Sequence, residues 1–185
     1  GFTLIELLIV VAIIGILGAI AVPGLMSARR AGNQASAIGS LRAISSSQRA
    51  YSSTCANGAF AATLTQLAIP PAVGGAAFIS PDLGVANSVV KSGYTIELAM
   101  GDDGAAWPCD ACNGVAGGAL STTFYATAEP VAEGSTGTGY YWLGVAGTIL
   151  SWKVCTRWLN ETMLKVVSRA RLRTAWANAG AGTTI

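Results

Sequence analysis

The sequence contains no histidine, and only 11% of its 185 residues are charged. Histidine is a common general base and metal ligand, so its absence removes the usual starting point for both kinds of site. The chain also lacks a nucleophile elbow, a phosphate-binding Gly-Lys motif and a convincing metal cluster. These missing motifs argue against an enzyme on a membrane anchor. We therefore predict a protein that is not an enzyme and has no cofactor or metal site.

The low charge also bears on solubility. Globular proteins average about 25% charged residues and rely on surface charge to stay dispersed. This chain has far fewer charges, and it has 23 glycines. Such a composition suits a surface that packs against other copies of the same chain.

The sequence does contain a long apolar run. Residues 2–22 are apolar apart from Glu6 and a few small residues. A helix of that length reaches about 31 Å, which is enough to cross a hydrocarbon core of about 30 Å. The run is longer than that of a typical signal peptide, and no Lys or Arg precedes it, which favours a membrane anchor.

A membrane anchor does not explain Glu6. An isolated carboxylate inside a membrane costs about 3 kcal/mol on insertion scales, so it needs a partner. The positive group nearest to Glu6 in the sequence is the α-amine of this chain, or that of a neighbouring copy. We interpret Glu6 as a residue that is neutralised in an assembly and that fixes the register between subunits.

The first 30 residues or so closely resemble the N-terminal signature of type IV pilins and of type II secretion pseudopilins. They open with Gly-Phe-Thr-Leu-Ile-Glu and contain the apolar run that ends at Pro23. Later stretches are more loosely similar to Gly-rich pilin domains. The resemblance implies that a prepilin peptidase cuts between Gly1 and Phe2 and that the Phe2 amine is then N-methylated. It also implies that Glu6 neutralises this amine on an adjacent subunit. Gly1 is then a residue of the leader.

The same resemblance implies the function and the partners. The chain would be the major subunit of an extracellular type IV pilus, a helical homopolymer that can serve adhesion and can contact surface glycans or DNA. Before assembly it would stand in the inner membrane and meet the assembly machinery. The alternative is a pseudopilin in a short periplasmic fibre. Pseudopilins often carry calcium-binding loops, for which Asp102, Asp103 and Asp110 offer few carboxylates.

The predicted fold class is α+β. One long helix over about residues 2–53 would place an apolar stripe of Ala31, Ala35, Ile38, Leu41, Ile44 and Tyr51 on a small antiparallel sheet. Strand-like alternation marks residues 93–100, 121–128 and 139–150. The predicted domains are a hydrophobic N-terminal segment (1–24), a globular domain (25–151) and a basic C-terminal extension (152–185).

Four residues are predicted to interrupt the long helix: Gly15, Gly18, Pro23 and Gly24. Proline removes a backbone donor and disfavours the helical state of the residue before it. Two interpretations remain open, an ordinary kink at the end of a membrane span or a segment that loses helicity in the filament and lets the fibre stretch.

Four cysteines, Cys55, Cys109, Cys112 and Cys155, predict two disulfides in an oxidising compartment. Cys55 is expected to pair with Cys109 or Cys112, and Cys155 with the one left over. A metal site or redox catalysis by the C-x-x-C is a weaker interpretation, because no βαβ pattern surrounds that motif.

The C-terminal extension is basic. Residues 152–185 carry six basic side chains and one acidic side chain, and they predict an amphipathic helix over about 155–177. Its basic stripe comprises Arg157, Lys165, Arg169 and Arg173. Three interpretations stay open: a solvated face, attachment to DNA, lipid or acidic sugars, and packing on a neighbour's Asp102, Asp103 and Asp110, which we favour among the functional ones.

Overall fold

A computed structural model describes residues 1–101 and 104–153 of the chain. Its largest element is helix α1, Leu4–Thr54, with 51 residues. At 1.5 Å per residue α1 is about 77 Å long. The long N-terminal helix predicted over residues 2–53 is thus confirmed.

The predicted interruption of this helix is wrong for the single subunit, because α1 continues through Gly15, Gly18, Pro23 and Gly24. A proline removes one backbone hydrogen bond, but its φ is already close to the helical value and the bonds on either side remain. Each glycine costs only about 1 kcal/mol relative to alanine. The loss of helicity in a filament stays a prediction.

The second half of α1 packs against the rest of the subunit. Ala37, Leu41, Ile44 and Tyr51 are buried on one stripe of the helix, together with the polar Gln48. The stripe predicted from the sequence was partly wrong, since Ala31 and Ala35 are exposed. Alanine has too little apolar surface to mark the buried side of a helix by itself. Gln48 is polar but buried, because its side chain forms hydrogen bonds with a backbone segment.

That backbone belongs to β1 (Phe60–Ala61). The Gln48 side chain donates to the Ala61 carbonyl at 2.7 Å and accepts from the Ala61 amide at 2.9 Å. Both polar groups of a buried amide are thereby satisfied. β1 pairs with β4 (Leu120–Ser121) as a small two-stranded sheet.

The main sheet has five antiparallel strands, β2 (Ser88–Lys91), β3 (Tyr94–Met100), β5 (Phe124–Pro130), β6 (Gly139–Gly144) and β7 (Ile149–Lys153), in the order β2-β3-β5-β6-β7. Its inner face lies on α1, where Tyr94, Ile96 and Leu98 are fully buried. The α+β class predicted from the sequence is confirmed.

The connection between helix and sheet contains two short helices, α2 (Leu64–Ala68) and α3 (Pro81–Gly84). Thr63 and Gln66 form a capping box at the start of α2, which satisfies amides that a helix start leaves free. A 3₁₀ turn, Gly117–Ala119, precedes β4.

One disulfide ties the end of α1 to the loop before this 3₁₀ turn. Cys55 and Cys112 are bonded, with a Cα–Cα distance of 4.8 Å and a sequence separation of 57. The Cys112 amide also donates to the Cys55 carbonyl at 3.0 Å. The structure therefore selects Cys112 from the two partners that the sequence left open for Cys55.

Two predicted boundaries differ from the observed ones. Residues 139–150 form not one strand but the β6–β7 hairpin, in which Gly147 adopts a φ of +79°. β7 continues to Lys153, so the first two residues of the predicted extension, 152 and 153, belong to the sheet. The predicted helix over 155–177 lies outside the described residues.

Candidate functional site at the amino terminus

Glu6 lies in the first turn of α1, three residues after Thr3, which occupies the N-cap position in an extended conformation. Thr-x-x-Glu at a helix start is the spacing of a capping box, so the sequence pattern marks Thr3 as a candidate N-cap. The box does not form, because the Thr3 side chain makes no capping hydrogen bond. The helix dipole favours the negative charge of Glu6 at this position, but the side chain is not fixed by a capping box.

Glu6 has no ion-pair partner among residues 1–101 and 104–153 of the chain. The ion pair formed within those residues is Lys91 with Asp82, far from the N-terminus in sequence, and the Gly1 amine is not paired with Glu6. A carboxylate on an apolar helix is thus left available for a positive group from outside the subunit.

The apolar residues around Glu6 are exposed on all sides of the helix. Phe2 is 90% exposed and Leu4 is 81% exposed, and thirteen further large apolar residues up to Met26 are exposed as well. Soluble proteins rarely present an apolar surface of this extent, which marks an interface with protein or membrane. By length and composition α1 includes a stretch that could cross a membrane, and none of that stretch is buried.

Gly1, Phe2 and Glu6 border one shallow recess that is wide open to solvent. The structure therefore brings together the predicted cleavage and methylation residues and the predicted assembly residue. The three residues come from one short stretch of chain. The first helical turn places Glu6 beside the residues that precede it. What this recess offers chemically is a carboxylate in an apolar surround.

The other predicted site residues are distributed along the chain. Beyond the adjoining turns of the helix backbone, a side chain added at Gly15, Gly18 or Gly24 would meet no atom within 4 Å, so these glycines leave room for a close neighbour. Cys109 is exposed and unbonded within the described part of the chain. Its predicted partner Cys155 lies outside that part.

The basic stripe of Arg157, Lys165, Arg169 and Arg173 also lies outside the described residues. In residues 1–101 and 104–153 no three Cys, Asp or Glu side chains form a group that could hold a metal ion.

The family model for the prokaryotic N-terminal methylation motif matches residues 1–22. No curated protein and no solved structure matches the chain. The matched residues include the whole recess of Gly1, Phe2 and Glu6 and most of the exposed apolar stretch. Residues 1–22 are the N-terminal signal of type IV pilins and pseudopilins.

Proposed function

We propose that the chain is the structural subunit of an extracellular type IV pilus, and that it stands in the inner membrane before assembly. A prepilin peptidase would cut between Gly1 and Phe2, and the Phe2 amine would be N-methylated. In the filament the N-terminal segments bundle at the axis, and Glu6 of one subunit neutralises the Phe2 amine of another.

The observation that carries this proposal is the bare apolar half of α1 with one unpaired carboxylate. Fifteen large apolar side chains between Phe2 and Met26 are 48–90% exposed. Burying each of them is worth about 1.5–3 kcal/mol, so burial supplies tens of kcal/mol of gross cohesion. A membrane covers this surface before assembly, and neighbouring helices cover it in a fibre.

Glu6 sets the register in this proposal. When a buried ion pair loses one member, the charge left behind costs about 3–5 kcal/mol. A subunit that enters with its amine beside the carboxylate of a neighbour satisfies both charges, whereas a subunit displaced by one helical turn satisfies neither. The charge therefore selects one position along the bundle while apolar contacts provide the cohesion.

The proposal is tested by shearing cells that express the full chain and analysing the released material. We expect long filaments whose subunits begin at Phe2 and carry one methyl group on its amine, read by mass spectrometry of the N-terminal peptide. Sheared material without this chain, or a chain whose N-terminus is unprocessed in the fibre, would contradict the proposal.

The pseudopilin alternative is separated by the same experiment. A pseudopilin fibre is short and stays in the periplasm, so its subunits would be processed and methylated but absent from the sheared fraction. No described residue favours this alternative over the pilus.

A further inference from the structure

The charges of the C-terminal half are divided into two blocks. Residues 92–152 contain no Lys or Arg and six acids, namely Glu97, Asp102, Asp103, Asp110, Glu129 and Glu133. Residues 153–185 contain six basic residues and one acid. An acidic block and a basic block that are adjacent in the chain attract each other over short distances, particularly where water is partly excluded.

Two of the acids lie on the outer face of the main sheet, which points away from α1. Thr95 and Glu97 alternate with the buried Tyr94, Ile96 and Leu98 of β3. Thr95 is opposite Glu129, so Glu97 and Glu129 are diagonal neighbours on this face. Within the described chain neither carboxylate has an ion-pair partner.

The environment of Glu129 shows what this face does to a carboxylate. Glu129 is exposed as a residue, but its carboxyl group is partly desolvated by the atoms around it. This desolvation, with a smaller contribution from the negative charge of Glu97, raises the pKa of Glu129. The charge of a positive group above the pair would favour the ionised carboxylate and so oppose both effects.

The same face also carries apolar surface. One row across the five strands runs through Ser88, Glu97, Thr127, Trp142 and Leu150, as the strand registers show. Tyr125 lies on this face opposite Ala99, and both Tyr125 and Leu150 are half-buried. The face is therefore mixed, with aromatic and aliphatic groups beside two carboxylates.

The chain leaves the sheet at the edge of this face. β7 is the edge strand, and its last residue, Lys153, is opposite Gly139 of β6. The 32 residues that follow need to cover a sheet about 19 Å wide, which they can span even when compact. Their sequence alternates an apolar stripe, including Leu159, Met163 and Val166, with the basic stripe.

We propose that residues 154–185 dock on the outer face of the sheet of their own chain, with apolar side chains over Tyr125 and Leu150 and basic side chains over Glu97 and Glu129. Direct linkage to β7 gives the extension a high effective concentration at this face, which favours it over a neighbouring subunit. The neighbour's acidic loop is a poorer target, since the Asp110 carboxylate already accepts from the Gly117 amide at 2.9 Å. This inference does not depend on filament formation.

The test uses zero-length carbodiimide cross-linking of the full oxidised chain in detergent micelles, with isotopically light and heavy chains mixed. Lys165 is the one lysine of residues 154–185, and R157K, R169K and R173K place further probes along the stripe. We expect at least one of these lysines to join Glu97 or Glu129 of the same isotopic label. The Lys91–Asp82 ion pair provides the internal positive control.

A second measurement uses tryptic cleavage within 154–185. The E97Q/E129Q variant should be cleaved there about tenfold faster than the wild type, because the docked state opens more often. The S46K/S53K variant raises the net charge by the same amount on exposed positions of α1 and should leave the rate unchanged.

Three results would overturn the inference. One is a Lys91–Asp82 link without any link from the four probe lysines to Glu97 or Glu129. Another is a set of links that join only chains of different label. The third is an unchanged cleavage rate in E97Q/E129Q.

Discussion

The Tyr51 hydroxyl donates a hydrogen bond of 3.1 Å to Oδ1 of Asn113, and both residues are buried. Asn113 also donates to the carbonyls of Gln66 and Ile69, so it joins α1 to the end of α2. Burial raises the pKa of Tyr51, although the bond to Asn113 offsets part of that effect. This contact lies beside the Cys55–Cys112 disulfide and helps to fix the helix to the globular domain.

Tyr51→Phe should destabilise the full chain by about 1 kcal/mol, because Asn113 Oδ1 keeps a weaker partner in the Val115 amide. Asn113→Ala should cost more, about 3 kcal/mol, since it strands several buried groups. Urea unfolding in detergent, followed by circular dichroism, measures both. Ser46→Ala, which removes an exposed hydroxyl, is the matched control. Equal losses in the two variants would contradict this account of the contact.

The Cys55–Cys112 disulfide should stabilise the globular domain by about 4 kcal/mol, the value that the chain-entropy model gives for a loop of this size. The double variant Cys55→Ala/Cys112→Ala removes it and should lower the unfolding free energy by that amount. Thiol counting in the denatured wild type should find no free thiol, since Cys155 is predicted to pair with Cys109. Two free thiols would refute the second disulfide and leave the first intact.

The Asp82–Lys91 ion pair should make the free energy of unfolding depend on pH in the acid range. Hydrogen bonds from Lys91 and Ser80 lower the pKa of Asp82 from 3.8 to about 2. A depressed carboxyl pKa contributes stability that is fully present above the unfolded pKa and is lost as the pH falls through the folded one. Asp82→Asn should therefore differ from the wild type above about pH 4, and the two should converge only below about pH 2.

The measurement is the unfolding free energy of both chains between these two limits. The effect should be small, because the pair is exposed to solvent and screened by salt. Lys91→Met removes the partner and should flatten the same part of the pH profile. A difference between wild type and Asp82→Asn that stays constant down to the acid limit would contradict the assignment.

Pro23→Ala should make a filament less extensible. Proline in a helix interior costs about 3 kcal/mol relative to alanine, so the replacement strengthens the segment that loses helicity under the stretching interpretation. Force–extension curves of single filaments would show this as a stiffer fibre. Gly32→Ala is the control, since a side chain there meets nothing within 4 Å and lies beyond the segment. Equal extensibility of the Pro23→Ala and wild-type fibres would show that Pro23 is not where the fibre lengthens.

The sequence predicts those parts of the fold that depend on long periodic patterns. The 51 residues of α1 and the alternation of Tyr94, Ile96 and Leu98 in β3 are patterns of this kind. β2 was missed because it is short. Its signal was the Ser92–Gly93 pair between β2 and β3, which adopts positive φ at both residues and forms a two-residue hairpin turn.

Other features depend on contacts between distant residues and have no local signal. The pairing of Phe60 with Ser121 joins two strands of two residues each, and the choice of Cys112 over Cys109 follows from where the loop folds. At the amino terminus the sequence predicts a site formed by Gly1, Phe2 and Glu6. It could not show that Thr3 fails to cap the helix and that Glu6 has no partner within the described subunit.

The most direct test of the central claim is the filament yield of Glu6→Val, measured against the amount of processed subunit in the membrane. The variant keeps the apolar span and removes the charge, and Leu8→Val is the control that changes an apolar neighbour. We predict normal membrane insertion with filament yield reduced to a few per cent or less, as expected when about 3–5 kcal/mol is lost at each added subunit. Filaments of normal yield and length from Glu6→Val would contradict the claim that the carboxylate sets the register.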